Sequence, residues 1–199
     1  MDILLAKTPH SFASNTYIIT CGNECAVVDP STPYDESLYS GRLKYILLTH
    51  GHFDHMLDID SWVNATDATV IVSSSEQEAL SDPMLNCFKL YDGSDRGYFG
   101  ASVAVVDSDT LELGNAFITV LATPGHTKGS VVYLIDGSCF VGDTVFAGGG
   151  YGRFDLPGGN AMELKESINL IINLPKDTVL YPGHGPSTTV EQYIYDINR

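Results

Sequence analysis

The chain has 199 residues, 44% of them hydrophobic and 18% charged, which is enough apolar content to close one core without disulfide support. Its 25 acidic against 10 basic residues give a formal charge of −15, which repels a phosphate backbone and argues against nucleic acid as substrate or partner. No apolar run reaches bilayer-spanning length, and Met1-Asp2-Ile3-Leu4-Leu5-Ala6-Lys7 lacks a basic segment leading into a long apolar one, so the expected location is cytoplasmic, with no membrane partner.

Runs rich in Val, Ile, Leu and Tyr predict strands at 15–20, 24–29, 44–48 and 69–72, separated by turn formers such as Cys21-Gly22-Asn23 and Pro30-Ser31-Thr32-Pro33. Helices are predicted at 56–65, where Met56, Ile59, Trp62 and Val63 fall at helical spacing, and at 75–80. A second β region follows at 102–106, 116–121, 130–135 and 138–141. The segment 142–160 holds Gly148-Gly149-Gly150, Gly152 and Pro157-Gly158-Gly159; it is either a flexible connection or, as its place after Asp143 favours, a loop lining a site. Asn160 caps a helix at 161–174 with Leu164, Ile168, Ile171 and Ile172 as its apolar stripe, and Pro175 stops it. A strand at 178–181 and a helix at 190–197 complete the order. Two β-rich blocks, each with helices, predict an α/β fold of two packed sheets covered by helices, in one domain spanning 1–199. Cys21, Cys25, Cys87 and Cys139 show no CxxC spacing and read as buried small hydrophobes.

Five of the six histidines fall into three short motifs: Thr49-His50-Gly51-His52-Phe53-Asp54-His55, Pro124-Gly125-His126-Thr127 and Pro182-Gly183-His184-Gly185. Gly142-Asp143-Thr144 lies between the last two. Imidazole and carboxylate together suit zinc and related first-row ions, and the shortage of thiolates nearby argues against an iron–sulfur cluster. Tyr45-Ile46-Leu47-Leu48 is expected to deliver His50 and His52 at the end of a buried strand, where i and i+2 side chains point the same way and can share one ion. Asp54 and His55 come as the chain turns into the next helix and point to a neighbouring position. His126, Asp143 and His184 each follow an apolar run and have glycine beside them, which allows close backbone approach. His10 stands outside the set and is expected at the surface or a pocket rim.

In these motifs the chain resembles the metallo-β-lactamase-fold hydrolase superfamily, whose ligands run HxHxDH and then His, Asp and His. The resemblance implies a four-layer αββα sandwich. It implies that His50, His52 and His126 hold one metal ion, that Asp54, His55 and His184 hold a second, and that Asp143 bridges them. Asp29 matches a family position that supports the site without ligating. Leu80-Ser81-Asp82-Pro83, Thr123-Pro124-Gly125-His126-Thr127 and Gly152-Arg153-Phe154-Asp155-Leu156-Pro157-Gly158-Gly159 resemble the small glyoxalase II-like (hydroxyacylglutathione hydrolase-like) branch. The implied cofactors are two divalent ions, zinc first, with iron or manganese as alternatives. Arg153 either faces a substrate carboxylate or pairs with Asp155 to hold its loop.

Several positions depart from the branch. Only 15 residues follow His184, where glyoxalase II enzymes carry a helical extension that helps bind glutathione. Met56-Leu57-Asp58 lacks a glycine that many relatives have nearby, and Asp143 stands where many metallo-β-lactamases have Cys, which argues against antibiotic hydrolysis. Residues 84–99, with Phe88, Leu90, Tyr91, Tyr98 and Phe99, form either a substrate-covering lid or ordinary packing.

The expected function is hydrolysis of a small-molecule thioester or ester, lactones included, with water activated at the metal pair and Asp54 orienting it while ligating. A thiol pKa of about 8.5 makes thiolate a tolerable leaving group. Two alternatives stand beside this. One is a mononuclear iron persulfide dioxygenase using the same motif with fewer ligands, which the presence of His55, Asp143 and His184 opposes; the other is a metal-holding or partner-binding domain without turnover. Oligomeric state is not legible in the sequence.

Overall fold

A computed structural model describes every residue from Met1 to Arg199. The first sheet contains β1 (Asp2–Ala6), β2 (Thr16–Cys21), β3 (Glu24–Val28), β4 (Arg42–Leu47), β5 (Thr69–Ser73) and β6 (Val103–Val105), in that spatial order. β1 to β3 form antiparallel pairs, whereas β3 to β6 run parallel. The chain continues with β7 (Thr110–Leu113), β8 (Ala116–Ala122), β9 (Val131–Ile135) and β10 (Ser138–Gly142), then a small hairpin of β11 (Val145–Phe146) and β12 (Gly150–Tyr151), then β13 (Val179–Pro182) and β14 (Thr188–Thr189). The second sheet has the order β14-β13-β10-β9-β8-β7. The parallel pair β10–β13 sits in an otherwise antiparallel ladder.

The period-2 alternation of the strands sorts side chains into separate cores. Tyr17, Ile19, Ala26, Val28, Leu47 and Ile71 of the first sheet meet Ile118, Val120, Tyr133, Ile135 and Phe140 of the second in a core between the sheets. Their sequence neighbours Ile18, Val27, Ile46 and Val70 face outward onto α1 (Ile59–Ala65), α2 (Gln77–Ser81) and α3 (Phe88–Tyr91), where Trp62 is fully buried. On the other side, Val132, Cys139, Val141 and Leu180 pack against α4 (Ala161–Ile172) and α5 (Val190–Ile197) through Ile171, Val190 and Tyr193. The layers are therefore helix, sheet, sheet, helix. No helix is long and apolar enough to cross a membrane. All four cysteines are buried and unpaired.

Four expectations are corrected in detail. The helix predicted to begin at Met56 begins at Ile59, because the chain leaves the 3-10 turn over Phe53–His55 with Met56 (φ −133°, ψ 23°) and Asp58 (φ −113°, ψ 15°) outside helical dihedrals. The strand near 102–106 is only Val103–Val105 and belongs to the first sheet, since it pairs with β5 and not with its chain neighbours in the second block. β1 and β7 were not predicted; both are sheet edges defined by their single partners, β2 and β8. The segment 142–160 contains the β11–β12 hairpin and is not wholly irregular.

Candidate metal centre

The parallel arrangement places the carboxyl ends of β3 and β4 together, and the ends of β8, β10 and β13 meet them from the facing sheet. Asp29 follows β3. It accepts from Thr49 N–H and Thr49 Oγ1–H, both at 2.8 Å, and from His55 Nδ1–H at 2.8 Å. His50 and His52 lie beyond the last residue of β4, so an extended loop at His52 (φ −66°, ψ 147°), not the pleat of a strand, brings them together. The chain then makes a 3-10 turn over Phe53–His55. Gly142 (φ +47°) ends β10 where a Cβ would strike the Thr49 side chain, which accounts for glycine before Asp143. Beyond β13, Asn15 Nδ2 donates to Pro182 O and Gly185 O, both at 2.9 Å, and straps the His184 loop in place.

All seven sequence-predicted donors are brought into one cluster. His50 Nε2, His52 Nδ1 and His126 Nε2 lie 2.9–3.2 Å from one another. Asp54, His55 and His184 form a second group, with His184 Nε2 3.1 Å from Asp54 Oδ2 and His55 Nε2 4.0 Å from it. Asp143 lies between the groups: Oδ1 is 3.3 Å from His55 Nε2, and Oδ2 is 3.6 Å from His126 Nε2 and 3.7 Å from His184 Nε2.

The hydrogen bonds at the far side of each ring decide which nitrogen carries a lone pair. His126 Nδ1 donates to Arg153 O at 2.6 Å, leaving Nε2 bare. Thr49 Oγ1 gives its proton to Asp29 and therefore accepts from His50 Nδ1 at 3.1 Å, which leaves His50 Nε2 bare as well. His55 Nδ1 is bound to Asp29, and its buried Nε2, like the buried Asp143 Oδ1, has no hydrogen-bond partner. Converging lone pairs without protons between them fit a divalent cation. In a tetrahedral zinc site, nitrogen ligands at 2.0–2.1 Å from the metal would be about 3.3 Å apart, close to the spacing of the three histidines.

Protonation agrees with this. Burial lowers His50 well below the ordinary histidine value, helped by its histidine neighbours; it pushes His52 down to about 3 and lowers His126 too. Burial opposes ionisation of Asp143 and Asp54, but the nearby histidines override it and hold both carboxyls below their ordinary value. His55 is the exception: burial lowers it, yet the charges of Asp29, Asp143 and Asp54 carry it well above 6.5. Neutral imidazoles and ionised carboxylates are the forms that ligate a metal.

The site opens into a cleft of about 400 Å³ whose other walls are Phe53, Cys87, Phe146, Arg153 and Leu156. A larger groove of about 830 Å³, between β1 and the segment from Thr32 to Leu38, contains none of these donors. Arg153 pairs with Asp155 through Nε–Oδ1 at 2.7 Å and Nη2–Oδ2 at 2.8 Å while also lining the cleft, so the loop-holding role is the one the contacts display. Within 84–99, Phe88 and Tyr98 belong to the core, whereas Tyr91 and Phe99 are exposed. His10 bonds to Asp58 at 3.2 Å, outside the cluster. Sequence reasoning missed Thr49, Asn15, Ser31, which donates through Oγ to Asp54 O, and the buried Glu76. Among these, only Thr49 carried a signal, its position next to the first motif.

Residues 11–184 match the family described as the Metallo-beta-lactamase superfamily. The chain is 33% identical over 185 residues to the "Probable metallo-hydrolase YqgX" of Bacillus subtilis, covering 89% of this chain and 87% of that protein. Its fold is similar to that of the BLEG-1 B3 metallo-beta-lactamase, with a TM-score of 0.87, 30% identity, and 98% and 97% of the two chains covered. TTHA1623, solved in a di-iron-bound form, is similar at a TM-score of 0.81 and 26% identity over 96% of this chain and 97% of its own. Sandwich, donor cluster and sequence match agree, and the chain belongs to the metallo-beta-lactamase superfamily.

Proposed function

We propose that this chain is a metal-dependent hydrolase acting on a small thioester or ester, lactones included, in the manner of the glyoxalase II-like branch. The observation that carries this is the convergence of seven His and Asp donors beside a cleft open to solvent, with two sets of three and Asp143 between them. His50, His52 and His126 would hold one ion, and Asp54, His55 and His184 the other. A bound ion pair would supply a water acidic enough to ionise near neutral pH and Lewis acidity for an acyl oxygen, the two requirements of acyl hydrolysis.

The chain's own groups do the remaining work. Asp54, with a side chain 17% exposed, lines the cleft and would orient the water while ligating. Arg153 N–H groups are held in plane by Asp155 at the mouth, and Phe53, Phe146 and Leu156 provide apolar walls that exclude bulk water from the acyl group. A small substrate met in the cytoplasm suits a cleft of about 400 Å³.

A second reading, a mononuclear iron persulfide dioxygenase, is kept by one observation: the fold is also similar to that of ETHE1 from Myxococcus xanthus, at a TM-score of 0.76 and 25% identity over 100% of this chain and 86% of that one. The deciding experiment combines metal analysis with a panel of acyl-thioesters, lactoylglutathione among them, lactones and a β-lactam, assayed with zinc-, iron- and manganese-loaded protein. Two zinc equivalents with thioester or lactone turnover, abolished in His52→Ala, are expected. One iron with oxygen uptake on persulfide would sink the hydrolase reading, and turnover confined to the β-lactam would move the substrate class.

A further inference from the structure

We propose that Glu76 is the positioning residue of the three-histidine site, a buried carboxylate that ties the loop carrying His50 and His52 to the loop carrying His126. The proposal rests on the reading above that these histidines hold a metal ion.

Glu76 lies between β5 and α2 and is 2% exposed. Its Oε1 accepts the N–H of Gly51, the residue between the two histidines of the first loop, at 2.9 Å. Its Oε2 accepts the N–H of Gly129, three residues after His126, at 2.8 Å. An ionised carboxylate is an acceptor at both oxygens, so one side chain satisfies a backbone donor from each loop; an amide would turn an N–H toward one of them. The loops are shaped around this group. A Cβ at Gly129 would lie 2.6 Å from both the backbone nitrogen and Oε2 of Glu76, and one at Gly51 would lie 2.9 Å from the Ala79 Cβ and 3.4 Å from Oε1. Burial raises the Glu76 carboxyl above its ordinary value against the pull of its hydrogen bonds to Gly51, Thr127 and Gly129, and an apolar side chain in its place would leave the Gly51 and Gly129 N–H groups buried without an acceptor.

The second set of donors is anchored elsewhere. Asp29 fixes His55 and Asn15 fixes the His184 loop, and neither touches Glu76. Loss of the Glu76 contacts should therefore affect one ion and spare the other, which distinguishes positioning from general support of the fold.

The test is zinc titration of metal-stripped full-length protein against a chromophoric chelator, with cobalt spectra as a second readout. Wild type is expected to bind two ions. Glu76→Gln is expected to bind one as wild type does and the other about 10- to 100-fold more weakly, with loss of the strong cobalt bands of a four-coordinate site. In a His184→Ala background, which removes the second site, Glu76→Gln should weaken the single remaining ion by the same factor. Glu76→Asp, which keeps the charge but reaches only one loop, is expected to show the same selective loss and serves if Glu76→Gln does not fold. Unchanged affinities in a folded variant, or equal weakening of both ions, would overturn the Glu76 assignment. Wild-type protein that binds no ion would instead overturn the metal reading.

Discussion

Asp29 Oδ2 lies 2.8 Å from His55 Nδ1, with side chains only 3% and 0% exposed. This contact turns the other nitrogen of His55 toward Asp143, 3.3 Å away, and the same carboxylate also holds both the backbone and the hydroxyl of Thr49. Asp29→Ala leaves those buried donors unpaired. It is expected to cost at least about 1–3 kcal/mol in urea unfolding and about 10- to 100-fold in affinity for the ion at His55. Wild-type values for both would contradict the role.

Gly152 is packed against the backbone of Asp143, and a Cβ there would strike Asp143 O and come within 2.9 Å of His126 Nδ1. Gly152→Ala should therefore destabilise by about 1–3 kcal/mol and displace the loop whose Arg153 carbonyl orients His126. The combined readout is denaturation midpoint and metal affinity; an unaffected protein would show that the loop yields freely.

The metal-free protein should lose stability on acidification. His50, His52 and His126 titrate below 6.5 when folded, so below about pH 6.5 the unfolded chain binds protons that the folded one refuses. Asp54 and Asp143, also depressed, extend the loss below about pH 4. His55 works in the opposite sense: its contribution is complete below about pH 6.5 and disappears as pH rises through its raised folded value. Because His55 no longer opposes them below about pH 6.5, the three depressed histidines give a net fall between about pH 6.5 and pH 3, measurable as a declining urea midpoint in chelator-treated protein. A flat profile would contradict it.

Metal removal should lower thermal stability, because an ion that binds only the folded cluster stabilises it by mass action. At an ion concentration about a hundred times the dissociation constant the gain is about 2.7 kcal/mol, or about 5–10 °C in Tm for a domain of this size. Calorimetry with and without chelator measures it, and His52→Ala is expected to show a smaller chelator effect than wild type.

The donors were legible because their chemistry is local: HxHxDH, PGH, GD and PGH place the right atoms beside glycines whatever the strands do. Strand interiors such as 24–29 and 130–135 were legible for the same reason, since alternation is written into consecutive residues. What escaped depends on partners distant in the chain. β1, with Leu4 and Leu5 exposed, is a strand only by its pairing with β2, and β6 owes its sheet to β5. Glu76 is one of 25 acidic residues, and nothing near it in sequence reveals that Gly51 and Gly129 will meet it. The start of α1 was misplaced because the 3-10 turn over Phe53–His55 leaves Met56 and Asp58 outside helical dihedrals, which the apolar spacing of Met56, Ile59 and Trp62 does not reveal.

The cleft and the donors have different architectural ties. The donors stand at strand ends locked between two cores, whereas Cys87, Phe146, Arg153 and Leu156 lie outside the central strands. Doubling the length of a flexible loop costs only about 0.6 kcal/mol of closure entropy. Solvent-exposed turns and side chains of this wall can therefore vary at small thermodynamic cost, except where a contact ties them to the donors, as the Arg153 carbonyl is tied to His126. Exchanging the side chains of Phe146 and Leu156 is thus a route to reshaping the cleft that leaves in place both the Arg153 carbonyl on His126 and the core residues Phe88 and Tyr98.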